Sequence, residues 1–232
     1  MPEQVRVEIL PNRSVIALLY LAATQDRAGV TLILAPGAGA GHASAFIVNF
    51  ANGLAARGVH VVTFNFLYSE ERRRIPDPND KLEACWRAVI AAVRQQMMSS
   101  GDQLAIGGKS MGGRIASQVA AAGIGDLAGL VFLGYPLHPP GRPDRLRAAH
   151  LPAIKAPMLF VQGSRDAFGT PEELRPIITR IEPSPALYVV AGGDHSFKVP
   201  KRSDVTQEDV HRAIQDHVAG WLREQVAVRT AQ

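Results

Sequence analysis

A chain of 232 residues with 47% hydrophobic side chains can bury one sizeable α/β core, and 20% charged residues mark an ordinary folded protein rather than a disordered one. The formal charge of +4 is scattered except at Arg72-Arg73-Arg74 and Lys201-Arg202, which argues against the concentrated basic face of a nucleic-acid binder. The single cysteine, Cys85, excludes an internal disulfide, and Pro2-Glu3-Gln4 lacks the basic start of a secretion signal, so the expected setting is cytoplasmic.

In chain order, the alternation Val5, Val7, Ile9 predicts a strand, Pro11-Asn12-Arg13-Ser14 a turn, and residues 15–21 a returning strand. The apolar stretch at residues 15–23 is too short for a bilayer, which takes about twenty residues, so no membrane partner is expected. Residues 30–35 form a continuous β-rich run, the pattern of a strand covered on both faces. A helix is expected at residues 44–57 and another buried strand at residues 60–66, then an exposed polar loop at residues 68–78. Asp80 and Glu83 read as a capping pair for a long helix with the stripe Leu82, Trp86, Val89, Ile90, Val93 and Met97. Cys85 falls on that helix as a core or surface thiol.

Next comes Leu104-Ala105-Ile106-Gly107-Gly108-Lys109-Ser110-Met111-Gly112-Gly113-Arg114, a strand, a sharp turn at Ser110 and a helix through residues 115–122. Glycines two positions either side of the serine give the room such a turn needs. Further strands are expected at residues 130–133, 158–162 and 187–190, with a turn or two of helix near residues 144–149 in an otherwise proline-rich segment. Thr170-Pro171-Glu172-Glu173 starts one helix, and Thr206 with Asp209 caps a last one with Val210, Ile214, Val218, Trp221 and Leu222 inward. Strands alternate with helices and no linker interrupts them, so the fold predicted is a single domain with a mostly parallel sheet, an N-terminal antiparallel hairpin and helices on both faces.

Ligands of such sheets bind at the carboxyl ends of the strands. Four loops there carry unusual residues: residues 37–42, the serine turn, Asp166, and Asp194-His195. The order Ser110, Asp166, His195 is the order of nucleophile, acid and base in the α/β-hydrolase fold. Asp194 is the rival acid, but adjacent side chains rarely face each other, and it fits better as a loop-ordering acceptor. Two other motifs fail. A phosphate loop would need glycine where Gln103 stands, and a dinucleotide fingerprint beginning at Gly37 would need glycine at His42. The glycine- and alanine-rich loop then serves as an oxyanion loop, with the N–H groups of Ala38 and Met111 as donors.

The stretches at residues 36–39, 64–66, 86–90, 107–114, 160–166 and 192–197, with Phe132-Leu133-Gly134-Tyr135-Pro136-Leu137-His138-Pro139-Pro140, resemble the dienelactone-hydrolase-like group of α/β-hydrolases. They are most similar to the hydrolase-like family that includes the testis-expressed hydrolase-like proteins and the core domain of an NSL histone acetyltransferase complex subunit. Dienelactone hydrolase itself carries a cysteine nucleophile where this chain has Ser110. The resemblance implies the triad and the fold, without a settled substrate.

The chemistry expected is acyl transfer to water from an ester, thioester or small amide, with no cofactor and no metal. The partner expected is a small-molecule acyl substrate. Only about twenty residues separate the strands ending at Leu133 and starting at Met158, so no lid domain fits, and Phe66, Tyr68, Tyr135, Leu137, His138 and Phe168 are expected to form the pocket wall. His42 would also line it, if it takes part. Lys109, Arg114 and Arg165 are either solvent-facing or favour an anionic substrate. The alternative class is a catalytically silent, hydrolase-shaped interaction module.

Overall fold

The computed structural model describes residues 2–23, 26–200 and 202–230. Lys201, half of the second basic pair, lies outside the described residues. Eight strands form one sheet: β1 (Glu3–Leu10), β2 (Arg13–Tyr20), β3 (Val30–Ala35), β4 (His60–Phe64), β5 (Gln103–Lys109), β6 (Gly129–Leu133), β7 (Met158–Gly163) and β8 (Ala186–Val190). Their spatial order is β1-β2-β4-β3-β5-β6-β7-β8. β1 and β2 form the antiparallel hairpin and β2 runs antiparallel to β4, while the six strands from β4 to β8 are parallel.

The strands of the sheet centre are buried along both faces, which is why they read as unbroken apolar runs rather than alternating ones. Helices α1 (Ala45–Ala55) and α6 (Gln207–Thr230) cover one face, where Phe50, Leu54, Ile214 and Val218 meet Leu32, Leu34 and Val61. Helices α2 (Leu67–Glu70), α3 (Asn79–Gln96), α4 (Met111–Ala121) and α5 (Pro171–Ile178) cover the other, with Trp86, Val89 and Ile115 against Ile33, Phe64 and Ile106. Among the described residues no helix is long and apolar enough to cross a membrane.

Three local expectations need correction. The Asp80–Glu83 pair does not cap α3: the helix begins two residues earlier with Pro78 at the cap, and Asp80 instead places its charge in the first turn, where the helix dipole favours it. No helix forms at residues 144–149. Prolines at 139, 140 and 143 withhold backbone donors, the Arg147 N–H turns outward to the Leu137 carbonyl at 2.8 Å, and the only helical turn is the 3₁₀ piece Leu151–Ala153. The polar loop is not wholly exposed either, because α2 opens it with Leu67 and Tyr68 in the core. Elsewhere the caps hold: α5 has the full Thr170–Glu173 capping box, and Thr206 and Asp209 exchange the same pair of bonds at the start of α6. The segment between β6 and β7 carries no inserted domain, so the carboxyl edge of the sheet has no lid.

Candidate active site

Ser110 sits between β5 and α4 with φ 50° and ψ −117°, a backbone conformation that costs an L-residue free energy and persists only where the surroundings enforce it. They do so by close approach. A Cβ on Gly108 would lie 2.6 Å from the Ala35 carbonyl oxygen, and one on Gly112 2.5 Å from that of Pro36. Only glycine lets β3, β5 and α4 meet at this distance, and the turn projects the serine hydroxyl above the sheet edge.

β7 and β8 deliver two more side chains to that edge. The imidazole of His195 lies between Ser110 and Asp166, with Nε2 2.8 Å from Ser110 Oγ and Nδ1 2.8 Å and 2.9 Å from the two carboxylate oxygens of Asp166. Asp166 is 1% exposed. A buried carboxylate needs several donors, and it has them: Phe168 N–H at 2.8 Å and Gln162 Nε2 at 2.9 Å, besides His195. The Phe168 ring lies 4.2 Å from the imidazole, centroid to centroid, and restricts its rotation. Asp194 does not touch the imidazole; its Oδ1 accepts from the N–H groups of Ser196 and Lys198 at 2.7 Å and 2.9 Å and shapes the loop.

Lys109, immediately before the serine, is buried and donates through Nζ to the His195 carbonyl oxygen at 2.5 Å. Its ammonium lies 5.9 Å from the Phe46 ring centroid and 5.6 Å from that of Phe197. Burial pushes its pKa down to about 8, with Asp166 and Asp194 opposing. Cys85 offers no competing nucleophile, since burial pushes its thiol up to about 12.

A cleft of about 880 Å³ opens over Ser110 and is lined by Ala38, Phe46, Met111, Phe168, His195 and neighbours. Ala38 and Met111 therefore both face the space above the serine, and as the first residue of α4 Met111 has an N–H without an intrahelical acceptor. The loop after β3 is held by struts from the segment that follows β4: Gly39 N–H donates to the hydroxyl of Tyr68 on α2 at 3.3 Å and His42 N–H to Asn65 Oδ1 at 2.7 Å.

Of the expected wall residues, Phe168 lines the cleft, but Phe66, Tyr68, Tyr135, Leu137 and His138 do not. All five are buried, because an aromatic or leucine side chain at a strand end gains more from joining the core beneath the site than from facing solvent above it. Phe66 packs on Phe64, Tyr135 on Phe132 and Phe160, and His138 donates through Nδ1–H to the Pro139 carbonyl oxygen, 2.8 Å away, with Nε2 3.4 Å from Glu173. The actual walls come from α1, the start of α3 and α6. Arg165 is exposed and off the cleft and His42 is also absent from it, whereas Lys109 and Arg114 line it.

Gln162 is a site residue that sequence reading missed, as are the cleft-lining Phe46, Arg147 and His211. Gln162 is the next-to-last residue of β7, an otherwise apolar strand, and a lone amide there, in a strand buried on both faces, must satisfy its polar atoms inside the protein. Among the described residues, no group of three or more His, Cys, Asp or Glu side chains is placed to hold a metal ion.

A parallel sheet with a strained serine turn at its edge, and a histidine bridging that serine to a buried aspartate, define the α/β-hydrolase class of proteins. Residues 28–223 match the model of the alpha/beta hydrolase domain family, and the chain belongs to that family. Solved structures similar to it include XC6422 from Xanthomonas campestris, described as an α/β serine hydrolase without lid, at 22% identity and TM-score 0.71 over 97% of this chain and 94% of that one. Dienelactone hydrolase from Anabaena variabilis is 18% identical, with a TM-score of 0.75 over 96% and 98% of the two chains. Est1E from Butyrivibrio proteoclasticus is 14% identical, with a TM-score of 0.75 over 97% and 99%. At these identities the likeness is one of fold.

Proposed function

We propose that the protein is a serine hydrolase that cleaves a small ester, thioester or amide through an acyl-enzyme on Ser110. The observation that carries this reading is the imidazole of His195 within hydrogen-bond distance of both Ser110 Oγ and Asp166. Ser110 Oγ attacks the substrate carbonyl while its proton passes to His195 Nε2. Asp166 holds Nδ1–H and stabilises the imidazolium, and the N–H groups of Ala38 and Met111 receive the negative oxygen. Collapse expels the leaving group, which takes the proton from Nε2. Water then attacks the acyl-serine with His195 as base, and the acid product departs.

The buried donors on Asp166 support its role, since they hold the carboxylate in the orientation that meets His195 Nδ1. The carboxylesterase-like character rests on the open, largely apolar cleft. Within the family, the stretch from Phe132 to Pro140 supports a place near the testis-expressed and NSL-subunit hydrolase-like proteins. The reading also takes the chain as one domain with a small-molecule acyl substrate, no nucleic-acid or membrane partner and a cytoplasmic setting, which the lone Cys85 supports.

The test is active-site labelling. Incubation with a fluorophosphonate should add one adduct by intact mass, absent in Ser110→Ala and sharply reduced in His195→Ala. An unlabelled wild type with a cooperative melt would refute the enzyme and favour the interaction module.

A further inference from the structure

The cleft holds more positive than negative charge. Arg114 follows Ser110 by one helical turn, about 6 Å along α4, and so shares its face. Its guanidinium is fixed by two neutral oxygens, Gln118 Oε1 and Asn79 Oδ1, each at 3.3 Å. These bonds set its orientation and leave its charge uncompensated.

Arg147 reaches the same cleft from the segment after β6, where its backbone is pinned: the N–H donates to the Leu137 carbonyl and its own carbonyl accepts from the Tyr135 hydroxyl, both at 2.8 Å. Neither guanidinium forms an ion pair among the described residues. The one carboxylate lining the cleft, Asp77, is already taken by Arg73 at 2.7 Å. Burial and then the charge of Arg147 both press the Arg114 guanidinium below its ordinary value, with Tyr135 and Glu83 opposing. Two partly buried like charges cost free energy until a counter-charge arrives, and a planar carboxylate matches the fork of an arginine.

We infer that Arg114 and Arg147 form an anion subsite, and that the preferred substrate is an ester bearing a carboxylate away from the scissile bond. This inference rests on the serine-hydrolase reading. The carboxylate can belong to the acyl or to the alcohol part, and two pairs of esters separate these sources. p-Nitrophenyl hydrogen adipate is compared with p-nitrophenyl hexanoate, and 4-hexanoyloxybenzoate with phenyl hexanoate, each corrected for spontaneous hydrolysis.

The kcat/KM ratio of charged to neutral ester should exceed one for at least one pair. In Arg114→Gln/Arg147→Gln it should fall by about tenfold or more, mainly through KM, as expected for lost charge-assisted hydrogen bonds. The ratio cancels any general loss of catalytic power in the variant, and near-UV circular dichroism verifies its fold. Ratios at or below one in the wild type for both pairs, or a ratio that the double substitution leaves in place, would overturn the subsite. If that happens while Ser110 still takes fluorophosphonate, only the subsite fails; if Ser110 takes none, the hydrolase reading fails and the subsite goes with it.

Discussion

Replacing Gln162 by methionine keeps the side-chain volume and removes its hydrogen bonds, and it tests how far the acid depends on its neighbours. Gln162 is 1% exposed; its Oε1 accepts from Tyr135 N–H at 2.9 Å, and its Nε2 faces Asp166 Oδ2 at 2.9 Å, the Gly169 carbonyl at 2.7 Å and the Tyr135 carbonyl at 3.2 Å. The substitution strands the Tyr135 N–H, at about 1–3 kcal/mol, and takes a donor from a buried carboxylate, at about 1.5–3 kcal/mol. Allowing for relaxation, the loss should be about 3–5 kcal/mol out of a typical total of about 5–15 kcal/mol. Urea unfolding with unchanged slope should register it as a lower midpoint. With Asp166 free to turn away from His195, fluorophosphonate labelling should slow by about 100-fold, the cost of a misplacement near 1 Å. A variant within about 1 kcal/mol of wild type, labelling at the wild-type rate, would refute the view that Gln162 holds the acid.

Three further outcomes follow from the same structure. Gly112→Ala should destabilise by about 1–3 kcal/mol and slow labelling, because the added methyl meets rigid backbone oxygens rather than a movable side chain. Gly220→Ala, on α6 with open space at its Cβ, should stabilise by about 0.5–1 kcal/mol, and equal midpoints for the two variants would contradict the reasoning. For Lys109, the folded pKa of about 8 lies below the ordinary 10.5, so between these values the unfolded chain binds more protons and stability rises with pH. Below pH 8 the buried charge costs roughly 3 kcal/mol. The stability of wild type relative to Lys109→Met should therefore improve from pH 8 toward pH 10, and parallel profiles would contradict it.

The fold is legible in the sequence because its central strands are covered on both faces, and a run such as residues 30–35 has no other comfortable reading. The α5 cap is legible for a different reason: Thr170, Pro171 and Glu173 satisfy one another within a single turn. At the site, the residues that a motif marks stand at strand ends, where backbone geometry alone fixes their direction. Tyr68 and Tyr135 defeat the same logic, since whether a ring two to four residues past a strand points up into a cleft or down into the core depends on packing from distant segments. Arg147 lies in a proline-rich stretch without periodicity, and nothing local announces that it lines the same cleft as Arg114.

The bare carboxyl edge of the sheet has a kinetic consequence. Enzymes that close a flap over their substrate tie each turnover to its opening, and many lipid-cleaving ones wait for an oil–water boundary to lift it. On the serine-hydrolase reading, with no inserted flap among the described residues, dissolved substrate would meet Ser110 directly, and the rate should saturate smoothly with concentration, without a jump where the substrate begins to form droplets.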